Sequence, residues 1–356
     1  MKKVNLQAPI CYTGYGVAGF NIFYSLSQIT DLTLFPIGTQ ATLFFDEARP
    51  IFDECLKKQH TYDFKAPTIK IWHSMQQRES VGKGMFLPFP FFELDTFDVV
   101  STHTLKHCCD RILVSSNWAK DIIRKNEINS PCTVVPLGVD TNIFNHNIIP
   151  TNKPDAYVFG MIGKWEIRKG HDILLDIFEK AFPNNENIEL WISASSDNGY
   201  TGDAEIQQWE NMYKNSKLGA RVKIYPQLPT HADIANFISH MDCGIYISRA
   251  EGWNLELLET MAMNKPVIAS NYSAHTEFCN KDNSFLFDID ETEPAFDGKF
   301  FKGQGNWAKI GDKQIDQIID YLRYLYKNNI RTNNEGLNTA NKFSWENTCK
   351  IINSVL

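Results

Sequence analysis

The chain has 356 residues, 43% of them hydrophobic, and a formal net charge of -7 from 35 Lys and Arg against 42 Asp and Glu. That length accommodates two domains with sizeable cores, while the acidic balance argues against a general nucleic-acid binder, so any bound phosphate must rely on a few placed cations. No signal-peptide core opens the chain and no run of roughly 18 apolar residues occurs anywhere, which reads as a cytosolic chain with no transmembrane segment.

Short apolar runs alternate with helical patterns from the start: a strand near 4–10, a helix over 17–28 and a strand over 32–37, with further strand-like runs at 68–72, 97–101, 111–115 and 133–136. The stretch 86–92 is aromatic and broken by proline. It is either a surface patch meeting lipid at a membrane periphery or, more commonly for such composition, buried strand and loop. A polar, proline-bearing stretch at 145–154 reads as a linker, so that 1–150 forms one domain and 151–342 a second. Alternation resumes with strands at 157–162, 188–193, 222–225 and 243–247, helices at 172–182 and 231–240, and a strand at 266–270. Next, 288–311 lacks period and reads as a long ordered loop, followed by helices at 313–327 and 344–356. This α/β alternation predicts βαβ units around a parallel sheet in each of two domains.

Eight cysteines form no Cys-x2-Cys pair and read as reduced, mostly buried thiols. His103 and His107 stand one helical turn apart, with Cys108 and Cys109 just beyond, but no second ligand pair follows, so a structural cluster is the expectation. No metal is expected. Asp288-Ile-Asp290 has the spacing of a metal-binding pair, in a loop rather than at a strand end.

Three segments carry chemistry. In Ser248-Arg-Ala-Glu-Gly-Trp-Asn-Leu-Glu-Leu-Leu-Glu259, two carboxylates flank a loop that opens a short helix, with Asn254 as its expected N-cap and Asn264-Lys-Pro266 as its stop. Free N–H groups at such a helix start favour a phosphate, and Glu251 and Glu259 supply acceptors for sugar-type hydroxyls. In the second segment, Gly163-Lys-Trp-Glu-Ile-Arg-Lys-Gly-His-Asp172, a strand leads into a helix, and Lys164, Arg168 and Lys169 are placed to neutralise a diphosphate. The third, Tyr12-Thr-Gly-Tyr-Gly-Val-Ala18, joins the first strand to the first helix; Gly14 and Gly16 either let main-chain N–H groups approach a ligand or make a tight turn.

Taken together, these segments make the chain resemble a retaining glycosyltransferase of family 4, group 1, with the GT-B fold. The likeness lies in the Glu-x7-Glu spacing of Glu251 and Glu259, the following Met261-Ala-Met-Asn-Lys-Pro-Val-Ile-Ala269, the block 163–172, and Pro136-Leu-Gly-Val-Asp140. Gly305-Asn-Trp-Ala308 and the closing Phe343-Ser-Trp345 helix extend it. The resemblance implies two Rossmann-like domains facing a cleft, with the last helix, about 343–356, crossing back to the first. It implies that Lys164 and Lys169 bind the donor diphosphate and Glu259 the ribose, while Glu251 and the backbone of Gly252, Trp253, Asn254 and Leu255 hold sugar and phosphate. His73 or His103 would touch the donor sugar; Glu93 and Asp95 would meet the acceptor or cap a helix. In two places this chain departs from the pattern. Lys164 stands where Arg is usual, which replaces a fork by a point charge that Arg168 would supplement, and Glu256 replaces a common proline.

What is implied is a metal-independent hexosyl- or pentosyltransferase without a cofactor, using a UDP-, GDP- or ADP-sugar donor. Its hydroxyl acceptor would be a glycan, a lipid-linked saccharide, a small molecule or a modified DNA base. The last would need a basic groove, which Lys120, Arg124 and Lys125 on one predicted helix would begin, although a solvated helix face is the commoner outcome. The same fold without turnover, a nucleotide-sugar-binding protein, is the rival reading.

Overall fold

The computed structural model describes residues 1–38, 41–195 and 202–356. It divides into two units, one of Met1–Gly138, Gly252–Leu255 and Phe343–Leu356, the other of Val139–Glu251 and Glu256–Lys342.

The first unit contains β1 (Lys3–Pro9), α1 (Gly14–Ser27), β2 (Asp31–Ile37), α2 (Arg49–Lys57), β3 (Thr68–His73), β4 (Phe86–Phe91), α3 (Val99–His107), β5 (Ile112–Val114), α4 (Asn117–Lys125) and β6 (Cys132–Val134). Strands β2-β1-β3-β4 form a parallel sheet, and β5 pairs with β6 in parallel. Every residue of β4 is buried, so the aromatic tract is core and not a lipid-facing patch. The run at 97–101, expected as a strand, is instead the start of α3. Asp98 caps that helix by accepting from the N–H of Val100 at 2.8 Å and of Ser101 at 3.0 Å, and these satisfied donors outweigh the strand preference of two valines. Helix α2 carries only two buried apolar residues, Phe52 and Cys55, too few to announce it in the sequence.

In the second unit the chain runs β7 (Tyr157–Lys164), α5 (His171–Ala181), β8 (Ile188–Ser195), α6 (Asp203–Lys214), β9 (Val222–Tyr225), α7 (His231–His240), β10 (Cys243–Tyr246), α8 (Leu255–Ala262), β11 (Val267–Asn271) and β12 (Phe285–Asp288). A hairpin of β13 (Thr292–Phe296) and β14 (Lys302–Ala308), α9 (Asp312–Lys327) and α10 (Asn334–Ala340) follow, and α11 (Trp345–Val355) rejoins the first unit. Six strands pair in parallel in the order β12-β11-β10-β7-β8-β9, the doubly wound Rossmann order. Because helices cover both faces, β7 is buried at seven successive positions and shows no alternation. Phe159 and Met161 of β7 and Leu190 and Ile192 of β8 pack with Leu174 and Phe178 of α5 and Ile318 and Leu322 of α9 in one core. Each such side chain contributes about 1.5–3 kcal/mol, and Leu190→Ala would remove about 2–5 kcal/mol through the cavity it leaves.

Two further expectations need correcting. The segment 288–311 is not a loop throughout, since β13 and β14 pair antiparallel across it with a bulge between Pro294 and Phe296. That irregularity, with Gly298 at φ 79 and Gly303 at φ 85, is what obscures the two-residue alternation. The junction expected at 150 falls at Gly138. Phe144 is 1% exposed with its ring 5.7 Å from His231, and Lys153 Nζ lies 2.5 Å from the buried Asp242, so the polar stretch 145–154 is fastened to the second unit. In the first unit α11 lies along α1, with Thr348 donating to Pro136 O at 2.7 Å. Gly138 permits this approach, since a Cβ there would sit 2.3 Å from Trp345 N.

Candidate active site

In the second sheet the chain leaves β7 toward β8 on one side and later returns to β10 on the other, so the carboxyl ends of β7 and β10 flank the switch point, where open α/β sheets bind ligands. Both charged segments begin there. Lys164 ends β7, and the turn Ile167–Lys169 leads through Gly170 into α5; Ser248 to Glu251 follow β10 and lead into α8. Gly170 is irreplaceable on two counts, its φ of 90 and a Cβ that would meet Ile247 O at 2.7 Å. The two segments are stitched by the Arg249 N–H donating to Arg168 O at 2.7 Å.

Glu251 is the hub of the cluster and only 5% exposed. Its carboxylate lies 2.8 Å from Arg168 Nη1 and 2.7 Å from Lys169 Nζ and accepts from Ser248 Oγ at 2.7 Å. Its N–H donates to Ser273 Oγ at 2.8 Å. Ser273 holds this position at φ 55, a backbone region costly for a residue other than glycine. Burial opposes ionisation of Glu251, but Arg168, Lys169 and then His275 outweigh it and hold the carboxyl well below its usual range. Burial likewise disfavours the Lys169 ammonium, yet Glu251 and Glu256 more than compensate, and its pKa rises. Glu166 is lowered too: Arg168 and Lys164 prevail over burial. The cluster therefore stays charged, with Lys164, Arg168 and Lys169 set against Glu166 and Glu251.

The three expected phosphate ligands are not equivalent. Lys164 is the exposed one, its side chain 37% accessible and 3.9 Å from Glu166. Lys169 gives one of its three donor directions to Glu251. Arg168 faces inward: its guanidinium donates to Ala250 O at 2.8 Å and lies 2.7 Å from Glu166 and 2.8 Å from Glu251, so it braces the two carboxylates.

Arg249 escaped the sequence reading. It grips Asp172 with two nitrogens, at 2.9 and 2.8 Å, donates to Ile167 O and lies 3.5 Å from Glu293 of the hairpin. A lone arginine beside the motif gave no signal, because each of its partners is distant in the chain.

On α8, Glu259 is as buried as Glu251, at 5% exposed. Among the described residues its Oε2 has no hydrogen-bond partner. Burial, then the charge of Glu256, pushes this carboxyl well above its usual range. Asn254 stands at φ 83, not in the extended conformation of an ordinary side-chain N-cap. Trp253 is 4% exposed with its ring 5.7 Å from Phe343, so its side chain is packed. Gly252 passes so close to Phe91 and Phe92 that a Cβ would lie 3.3 Å from each.

In the first unit, Gly14 and Gly16 sit in the first turn of α1, at the carboxyl end of β1. Among the described residues no atom outside its own helical turn would lie within 4 Å of a Cβ at Gly14, whereas at Gly16 one would strike Cys11 O at 2.3 Å, so packing demands that second glycine. His73 ends β3 with its Nδ1 3.0 Å from Tyr15 Oη. His103 is exposed along α3, its ring 5.2 Å from His107. Only His73 therefore stands at the strand ends. Asp95 is 6% exposed and pairs with Lys125 at 3.1 Å; together with Glu93 it lies in the segment after β4, and the cap of α3 is Asp98, not either of them. The Lys125 pairing also removes one cation from the stripe on α4. No group of three His, Cys, Asp or Glu side chains suited to a metal occurs among the described residues, and no described helix is long and apolar enough to cross a membrane.

The fold is that of the GT-B glycosyltransferases. Sucrose-phosphate synthase (tll1590) from Thermosynechococcus elongatus superimposes with a TM-score of 0.72 at 15% identity, over 100% of this chain and 98% of its own. Anabaena Alr3699/HepE in complex with UDP and glucose gives 0.70 at 13%, covering 100% and 99%, and a glycosyltransferase from Rickettsia africae ESF-5 gives 0.68 at 15%, covering 99% and 97%. Identities this low speak for fold alone. No curated protein matches the sequence. Residues 156–297 match the family model for glycosyl transferases group 1, so this stretch carries a glycosyltransferase domain.

Proposed function

We propose that the protein transfers a sugar with retention from a nucleoside diphosphate to a hydroxyl acceptor, without a metal. The observation that carries this reading is the meeting, at one switch point, of a cationic turn and a helix start whose motif ends in a buried carboxylate lacking a partner on Oε2. Lys164, Lys169 and the N–H groups that open α8 would face the diphosphate. Glu259 would take the ribose hydroxyls, an adjacent pair of O–H donors for a buried acceptor. Glu251, held ionised and rigid, would orient the sugar.

In the reaction the acceptor oxygen forms its bond to the anomeric carbon on the face from which the diphosphate departs, and the acceptor proton passes to a leaving-group oxygen. Negative charge builds on that oxygen. Lys169, already fixed in a buried charged network, stabilises it with little reorganisation, and the more exposed Lys164 adds to it. The acceptor class is open, while the UDP and glucose of the Anabaena neighbour favour a UDP-sugar donor.

The test is calorimetric titration with UDP, GDP and ADP and their sugars in EDTA, followed by hydrolysis or transfer assays with the donor that binds. We expect one nucleotide family to bind and turnover to survive chelation. Binding without release of sugar under any acceptor supply would instead support a non-catalytic protein.

A further inference from the structure

Arg249 is 7% exposed and joins three stretches of the second unit that lie far apart in the chain. Two of its guanidinium nitrogens hold Asp172 of α5, at 2.9 and 2.8 Å, and Nη1 also donates to Ile167 O in the cationic turn. Its other edge meets the hairpin: Nε lies 3.5 Å from Glu293 and Cζ 5.8 Å from the centre of the Trp307 ring, and Trp307 itself donates to Glu293 at 3.2 Å. Main-chain bonds repeat both links, since the Arg249 N–H donates to Arg168 O at 2.7 Å and its carbonyl accepts from the Ala308 N–H at 2.9 Å. A planar fork is thus fixed between the hairpin and the start of α5, in a geometry that a point charge would not keep. Asp172 stands in the first turn of α5, directly after the cationic turn. Left without its partner, that carboxylate would repel an anion drawn to the turn. Lys164, Arg168 and Lys169 outnumber their partners Glu166 and Glu251 by one charge, and a bare Asp172 would cancel the surplus.

We propose that Arg249 is a positioning residue that neutralises Asp172 beside the cationic turn, so that a diphosphate meets the full charge of the lysines. Arg249 does not touch the ligand in this role; the hairpin holds it, and it acts through Asp172. The pair follows from the geometry, whereas the diphosphate rests on the glycosyl-transfer reading.

Two measurements on the full chain separate these claims. The first is calorimetric titration with UDP, GDP and ADP, each beside its monophosphate. Arg249→Gln should weaken the diphosphate that binds about tenfold and its monophosphate by no more than about threefold, and the loss should shrink as salt is raised. Asp172→Asn alone should not weaken it, and the double variant Arg249→Gln with Asp172→Asn should regain most of what Arg249→Gln lost. Equal losses for diphosphate and monophosphate, or a double variant as weak as Arg249→Gln, overturn the proposal, because a merely structural brace would not be rescued by removing its partner's charge. Should Arg249→Gln not fold, Arg249→Lys, which keeps the charge but not the fork, carries the same test with a loss of about threefold. The second measurement is urea unfolding of the two single variants and the double one without ligand. The single losses should fail to add; strict additivity overturns the Arg249 and Asp172 pair whatever binds nearby. A wild type that prefers no diphosphate over its monophosphate overturns the diphosphate reading of the turn, while the urea series still decides whether Arg249 neutralises Asp172.

Discussion

Glu251 and Glu259 belong to one motif and are equally buried, at 5% exposed each, yet their surroundings give them opposite characters. The loop that carries Glu251 supplies a hydroxyl and the facing turn after β7 supplies two cations, all within 2.8 Å, so its carboxyl is held well below its usual range and stays ionised. The helix that carries Glu259 supplies Oε2 with nothing among the described residues, and burial with the charge of Glu256 pushes its carboxyl well above the usual range. The loop is finished before the ligand arrives, and the helix keeps an unmet demand. Preorganised charge suits the reacting end of a donor, whereas a buried acceptor short of donors suits recognition of a diol.

The strongest way to break this contrast is Glu251→Ala, which takes from buried Lys169 the carboxylate it is bonded to and leaves Arg168 only Glu166 of its two carboxylates. We expect a loss of about 3–5 kcal/mol of folding stability in urea titrations, together with loss of transfer. A cost below about 1 kcal/mol would mean that water already screens the cluster. Next in size is Lys169→Ala. Removing a fixed positive charge from the leaving group should cut kcat about 10²–10³-fold, with a smaller loss of stability because Arg168 still neutralises Glu251. A variant retaining near-normal kcat would hand the leaving group to Lys164.

How far this could be read in advance differs between the units. The second announced itself because strands buried on both faces read as continuous apolar runs; β9 and α7 were expected with the bounds they have, and both halves of the charged site lay in turns at strand ends. Other features depended on interactions that a sequence window does not contain. Asp98 converted a strand-like run into α3 through two local hydrogen bonds, and the hairpin hid its alternation behind a bulge. The division of labour among Lys164, Arg168 and Lys169 was invisible for the same reason. All three are cations of one turn, and only the fold brings Ala250 O and Glu251 to Arg168. Tyr15 looked like a residue between two glycines until β3 and β4 placed His73 and Phe91 O around its hydroxyl.

The smallest expected effect sharpens the contrast most, because it predicts opposite signs for stability and affinity. Glu259→Gln keeps the shape of the side chain and removes its titration. In the wild type the native state retains a proton that the unfolded chain releases above the ordinary carboxyl value of 4.5, so stability is fully present below that value and falls as pH rises toward the raised native pKa. Glu251 behaves the other way, contributing above 4.5 and losing its contribution as pH drops toward its lowered native value. Glu259→Gln should therefore match the wild type below pH 4.5 and exceed it near neutrality, while nucleotide affinity falls about tenfold through loss of an ionisable acceptor for the ribose. Urea midpoints across pH, paired with calorimetric affinities, decide the matter. A variant less stable than the wild type at neutral pH would mean that Glu259 is paired in solution, and unchanged affinity would remove the ribose from its side chain.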